Sequence, residues 1–85
     1  MRTHPAVVFT PLDEGEGILL HLDTKRYYTL NESGRRIWEL AAAGRDTAEI
    51  ADALVAEYTL EVEAARAHID ALLGELVTEA LILTG

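Results

Sequence analysis

The stretch Arg26-Tyr27-Tyr28-Thr29-Leu30-Asn31 is the point where one hydrophobic period gives way to another. Before it, apolar residues come in short alternating runs, as on strands. After it they recur every three to four positions, as on helices. Tyr27 to Thr29 are residue types that suit a pleated surface, and Asn31 is a strong helix N-cap. A strand therefore runs directly into a helix here. Tyr28 and Leu30 share one face of that strand, and Tyr27 and Thr29 share the other.

Upstream, Ala6 to Thr10 is β-rich and bracketed by Pro5 and Pro11. Proline cannot donate to a ladder, so this strand belongs near a sheet edge. Leu12 to Gly17 reads as a turn. Ile18 to Leu22 reads as a second strand, with Ile18, Leu20 and Leu22 facing inward and His21 outward. Asp23-Thr24-Lys25 is short enough to make the next strand, Arg26 to Leu30, its antiparallel hairpin partner.

Downstream, a first helix is predicted from Asn31 to about Ala43, stopped by Gly44. Ile37, Leu40 and Ala41 form its apolar stripe and Trp38 widens it. Asp46-Thr47-Ala48-Glu49 has capping-box spacing for a second helix, on which Ile50, Leu54 and Tyr58 align. A third helix begins near Glu61, with Val62, Ala65, Ile69, Leu72 and Leu76 inward. Leu73 and Val77 make that stripe wider than one packing surface needs. Gly74 lies inside it at a cost of roughly 1 kcal/mol relative to Ala. Leu81-Ile82-Leu83 reads as a terminal apolar plug. Strands followed by helices predict an α+β fold: a three-stranded antiparallel sheet and then three helices, arranged as a winged helix-turn-helix. The 85 residues suffice for one domain over residues 1–85, with a small core.

Charge narrows the function. The net charge is −8, and residues 31–85 carry eleven of the fifteen acids against four of the seven Lys and Arg. Such a helical half repels phosphate backbones and anionic lipid surfaces. The helix-turn-helix pattern makes a winged-helix DNA-binding regulator the alternative reading. The third helix argues against it, with Glu61, Glu63, Asp70, Glu75 and Glu79 set against Arg66 alone. No signal peptide precedes the first strand, and no apolar run approaches the ~18 residues of a membrane span. Zero cysteines exclude a disulfide framework and thiolate chemistry. These readings point to a cytoplasmic protein with neither nucleic acid nor membrane as partner.

No catalytic set emerges. His4, His21 and His68 lack the spacing that puts two metal ligands on one helix face. Ser33, the sole serine, has no histidine near it in sequence. Gly15-Glu16-Gly17 sits in an acidic turn unsuited to phosphate. The carboxylates fall at the spacing of a solvated helix surface. The expectation is a non-enzyme without cofactor or metal. A strand edge free to pair also admits a third reading, a module that dimerises through its own edges.

The pattern Tyr28-x-Leu30-Asn31-x-x-Gly34-x-x-Ile37-Trp38-x-Leu40, then Gly44-x-x-Thr47-x-x-Ile50-x-x-x-Leu54-x-x-x-Tyr58, then Ile69, Leu72-Leu73-x-x-Leu76 and Leu81-Ile82, is similar to the PqqD-like family, the RiPP recognition element. The resemblance spans about residues 6–83. Two positions depart from it. Ala80 stands where a glycine is frequent, and His68 where an aspartate is common. The resemblance implies that the protein binds the leader region of a ribosomally synthesised precursor peptide as an added fourth strand. That strand would lie antiparallel to residues 26–30, in the cleft against the helix of residues 61–79. Free-standing relatives of this length typify lasso-peptide biosynthesis. There the implied partners are a cysteine-type leader peptidase and a lactam cyclase, and in cofactor biosynthesis a radical-SAM enzyme. The lasso leader usually carries a Tyr-x-x-Pro motif followed by a leucine. The peptide site expected on this basis comprises the backbone of Arg26, Tyr27, Tyr28, Thr29 and Leu30. An apolar wall of Ile69, Leu73 and Val77 faces it, with Arg66 and Asp70 at the rim.

Overall fold

The computed structural model describes residues 2–83. Its elements, in order, are strands β1 (Arg2–Thr3), β2 (Val7–Pro11), β3 (Gly17–His21) and β4 (Tyr27–Leu30), helices α1 (Glu32–Ala42), α2 (Thr47–Tyr58) and α3 (Val62–Thr78), and strand β5 (Ile82–Leu83). The main sheet is antiparallel in the order β2-β3-β4. The predicted α+β arrangement of a three-stranded sheet followed by three helices is thus the one observed. A second, two-stranded ribbon joins β1 to β5, pairing Arg2 with Leu83 and Thr3 with Ile82. No local signal in the sequence marks this ribbon. The expected apolar plug holds for Leu81 and Ile82, which are buried.

The helix ends follow from local chemistry. The Asn31 side chain accepts the Gly34 N–H at 2.8 Å and starts α1. Asp46 and Glu49 form a reciprocal capping box on α2. Gly44, at φ +86°, follows the end of α1. Arg36 grips the Glu57 carboxylate with two N–H groups, at 2.9 and 3.0 Å, and ties α1 to α2. The core gathers Ile37, Trp38, Ala41, Ile50, Leu54, Ala65, Ile69 and Leu76 from the helices under Leu19 and Leu30 of the sheet. Val62, expected inward, is half exposed at the first turn of α3.

The parity of β3 is the reverse of that expected. Leu19 and His21 are buried, and Leu20 and Leu22 are exposed. A one-residue shift of register exchanges every side chain between faces, and a run as uniformly apolar as Ile18-Leu19-Leu20 cannot reveal which set is inside. His21 decides it. Its Nδ1 accepts the backbone N–H of Asp23 at 3.2 Å inside the hairpin turn. Its ring packs against that of His4 at a tilt of 48°, with centroids 4.5 Å apart.

The end of α3 shows what the Ala80 departure does. Ala80 adopts φ +58°, the left-handed conformation that favours glycine. The Leu81 N–H reaches back to the Leu76 carbonyl at 2.8 Å. The glycine-type helix stop is kept with a residue that is strained in it. Ala80→Gly is therefore expected to raise stability by about 1 kcal/mol, measured by urea unfolding. The same measurement checks the parity of β3. Leu19→Ala is expected to cost roughly 2–5 kcal/mol, and Leu20→Ala about 0.5 kcal/mol or less.

Candidate functional site

Backbone hydrogen bonds establish which groups of β4 are free. The Leu22 N–H donates to the Ala6 carbonyl at 2.9 Å, and the His21 N–H donates to the Arg26 carbonyl at 2.9 Å. Even-numbered residues of β3 therefore bond toward β2 and odd-numbered ones toward β4, because the groups of an antiparallel strand alternate sides. With Leu19 opposite Tyr28 and Gly17 opposite Leu30, these two residues of β4 spend their polar groups on β3. The N–H and C=O of Tyr27 and Thr29 point away from the sheet. β4 is an edge strand, so among the described residues no other strand covers them.

A cleft runs beside this edge, between β4 and α3. One cavity of about 380 Å³ has Thr29, Leu30, Asn31 and Gly34 on one wall and His68, Ala71, Leu72 and Glu75 of α3 on the other. A second, of about 550 Å³, lies between Tyr28 and the α3 residues Asp70, Ala71, Gly74, Glu75, Thr78 and Glu79. Nothing lies within 4 Å of where a Gly74 Cβ would stand, so this glycine marks open space rather than a tight backbone approach.

The expected site residues divide accordingly. Tyr28, Thr29, Leu30 and Asp70 line the cleft. Arg26 stands at its far end, 3.6 Å from Glu79 in an exposed ion pair. Tyr27 projects from the outer sheet face, 71% exposed, and brings only its backbone to the edge. Ile69 is fully buried in the core. Leu73 packs partly against that core, and Val77 and Arg66 lie on an exposed flank. Of the expected apolar wall, Ile69, Leu73 and Val77 line neither of the two cavities. At about 100° per residue, residues 66, 73 and 77 share a flank on the far side of the core stripe from residues 68, 71, 75 and 79. The wall that does face β4 is more polar, and Glu75 and Glu79 carry no hydrophobic signal. Only their i, i+3/i+4 spacing with His68 and Ala71 would have pointed to them.

Glu75 spans the cleft. Its carboxylate accepts a hydrogen bond from the Tyr28 hydroxyl. That bond, with partial burial and the negative charges of Glu75 and Glu79, pushes the phenol up to about 12 from its ordinary 10. Two histidine contacts also appear that the sequence did not suggest. Ser33 lies 3.0 Å from His68 Nε2. Ser33 Oγ also lies 3.2 Å from Asn31 Oδ1, so the serine is shared between the cap of α1 and the imidazole. His4, His21 and Asp23 bring ligand atoms within 4.8 Å of one another. Yet both Nδ1 atoms accept backbone N–H groups, from Ala6 at 3.0 Å and from Asp23 at 3.2 Å. A cation on either Nε2 would shift the remaining ring proton onto a nitrogen facing those donors. The cluster is a clasp between the two N-terminal segments and not a metal centre.

A small winged-helix module with a free sheet edge and a cleft of mixed polarity beside it is the class defined by this geometry. Residues 16–82 match the family described as Coenzyme PQQ synthesis protein D (PqqD). The chain belongs to the PqqD family. It is also similar to two solved structures. One is TbiB1 in complex with the TbiA(beta) leader peptide, with 34% identity, TM-score 0.93, and 100% of this chain and 98% of that one covered. The other is a lasso peptide synthetase B1 complexed with the leader peptide, with 28% identity, TM-score 0.88, and 98% and 96% covered. No curated protein matches the chain in sequence. Among the described residues, no helix is long and apolar enough to cross a membrane.

The raised Tyr28 phenol has a pH signature. The fold favours the neutral form, so the contribution to stability is complete below pH 10 and is lost as pH rises through about 12. The stability difference between wild type and Tyr28→Phe is expected to shrink over that window, checked by denaturant unfolding in alkaline buffers. Tyr58 is also raised, chiefly by burial, and supplies a background common to both proteins.

Proposed function

We propose that this protein binds the leader segment of a ribosomally synthesised precursor peptide and presents it to the enzymes that mature it. The leader adds antiparallel to β4 as a fourth strand, and its inward side chains enter the cleft against α3. The observation that carries this reading is the pair of unspent backbone sites at Tyr27 and Thr29, facing a cleft in a fold whose structural neighbours hold leader peptides. An exposed edge of this kind is a ready template for an extended peptide.

Magnitudes fit a peptide of a few residues. Each backbone hydrogen bond contributes a net ~1 kcal/mol, which ordering of the peptide largely offsets. Apolar side chains buried in the cleft, at ~1.5–3 kcal/mol each, supply most of the affinity. Leu30, Ala71 and Leu72 offer the apolar surface for them. In this reading the protein is a carrier rather than an enzyme and works in the cytoplasm. It hands the bound precursor to a cysteine-type leader peptidase, with a lactam cyclase acting next, as in lasso-peptide assembly. A DNA-reading role is disfavoured because α3 presents exposed Glu63, Asp70 and Glu75 to any phosphate backbone.

The test is titration with the leader peptide of the precursor encoded beside this protein's gene, followed by amide NMR. Shifts are expected at residues 26–30 and along the 68–75 face of α3. Thr29→Pro removes an N–H that points out of the sheet and is not bonded to β3. It is therefore expected to abolish binding while the protein remains folded. Ala71→Trp, which fills the cleft from an exposed position, should weaken binding by at least ~10-fold, a loss of about 1.4 kcal/mol or more. Val77→Asp, on the other flank of α3, should bind as wild type does. Unchanged amides at residues 26–30 under saturating peptide would exclude strand addition. A mass that rises with concentration in the absence of peptide would point instead to self-pairing of edges.

A further inference from the structure

The Tyr28 hydroxyl and the Glu75 carboxylate close a bridge across the middle of the cleft, and these two residues, with Ala71, line both cavities. The bridge lies where an added strand is read most closely. Tyr27 and Thr29 offer their polar groups outward, so they form the hydrogen-bonded pairs with the incoming peptide. The peptide residue opposite Tyr28 is then in a non-hydrogen-bonded pair, in which facing side chains approach closest. Its side chain falls on the same face as that of Tyr28, toward α3 and directly against the bridge. The peptide residues two positions to either side lie opposite Arg26 and Leu30, toward the two ends of the cleft.

We propose that Glu75 is the specificity-determining residue of this site. In the free protein its carboxylate is held by Tyr28. In the complex it passes to a hydrogen-bond donor carried by the leader residue opposite Tyr28, a lysine, arginine or hydroxyl side chain. The inference rests on strand addition at β4. Its physical basis is the cost of covering a carboxylate. A peptide laid over the cleft removes water from Glu75, and a charged acceptor without a donor there opposes binding. Tyr28 cannot remain the donor if its ring turns aside to admit the facing side chain. A leader residue that brings its own donor resolves the conflict, and a purely apolar residue at that position does not. The bridge thus occupies the middle of the empty cleft and selects against leaders that lack the donor.

The experiment uses the full chain and the leader peptide described above, with the Tyr28 ring carbon beside the hydroxyl labelled with ¹³C. Cross-strand contacts in the same sample identify the peptide residue opposite Tyr28. Replacing its donor by an apolar group of equal length, norleucine for lysine for example, should weaken binding to wild type by ~10-fold or more, as for a hydrogen bond to a charged group. The same replacement should change binding to Glu75→Gln by only about threefold, because a hydrogen bond to the uncharged amide is about half as strong. Tyr28→Phe removes the competing hydroxyl, itself bonded to the charged carboxylate, and should tighten the unmodified peptide by ~10-fold or more. An equal loss in wild type and Glu75→Gln overturns the role of Glu75 while strand addition stands. Absent shifts at residues 26–30 overturn strand addition and, with it, the exchange at Glu75.

Discussion

The junction of β4 with α1 sets the geometry on which the cleft depends. Asn31 caps α1 by accepting the Gly34 N–H, so the chain turns from strand to helix within one residue. Gly34 is buried there, and a Cβ on it would stand 3.0 Å from Asn31 Oδ1, 3.5 Å from Leu30 Cδ2 and 3.6 Å from Leu72 Cδ2. The missing side chain lets α3 approach the end of the sheet, and the absence of bulk at Ala71 and Gly74 leaves the rest of the cleft open. One end of the cleft is therefore packed, and the other is bounded only by the exposed pair Arg26–Glu79. Surface pairs of this kind contribute little to stability, so that end opens at small cost.

The second constraint is the central strand. β3 has two sets of backbone groups and gives one to each neighbour, which determines what β4 has left over. The same alternation puts Leu19 and His21 under the helices and turns Val8, Leu20 and Tyr27 outward. It thereby separates two roles within β4. Tyr28 and Leu30 contribute side chains to the interior and the cleft, and Tyr27 and Thr29 contribute backbone to the edge.

Charge acts on top of this frame. α3 carries its acids on faces that the core does not need, and one of them, Glu75, is drawn across to Tyr28. The acidity that opposes a nucleic-acid role is thus partly concentrated at the cleft. There it bears on a peptide's side chains rather than on a phosphate backbone.

How much was legible in the sequence follows from the range of each interaction. Asn31, Gly44 and the Asp46/Glu49 box act within one turn of chain, and their positions suffice to delimit the helices. The helical period placed Ile37, Ile50, Leu54, Ala65, Ile69 and Leu76 in the core for the same reason. The order of strands before helices implied the α+β layers. Three features were decided only by tertiary structure. The facing of β3 depended on His21 meeting His4 and the hairpin turn, because Ile18, Leu19 and Leu20 are equally apolar. The β1–β5 ribbon joins the two ends of the chain, and no local signal marks a two-residue strand. The rotation of α3 put His68, Ala71 and Glu75 toward β4 and carried Leu73 and Val77 away. A wide apolar stripe admits several rotations, and the packing of Leu72 against Gly34 and of Leu76 in the core selects one. The sequence by itself determined the three helices, the strands of the main sheet and the edge strand. The partner face of that edge was determined by how α3 packs.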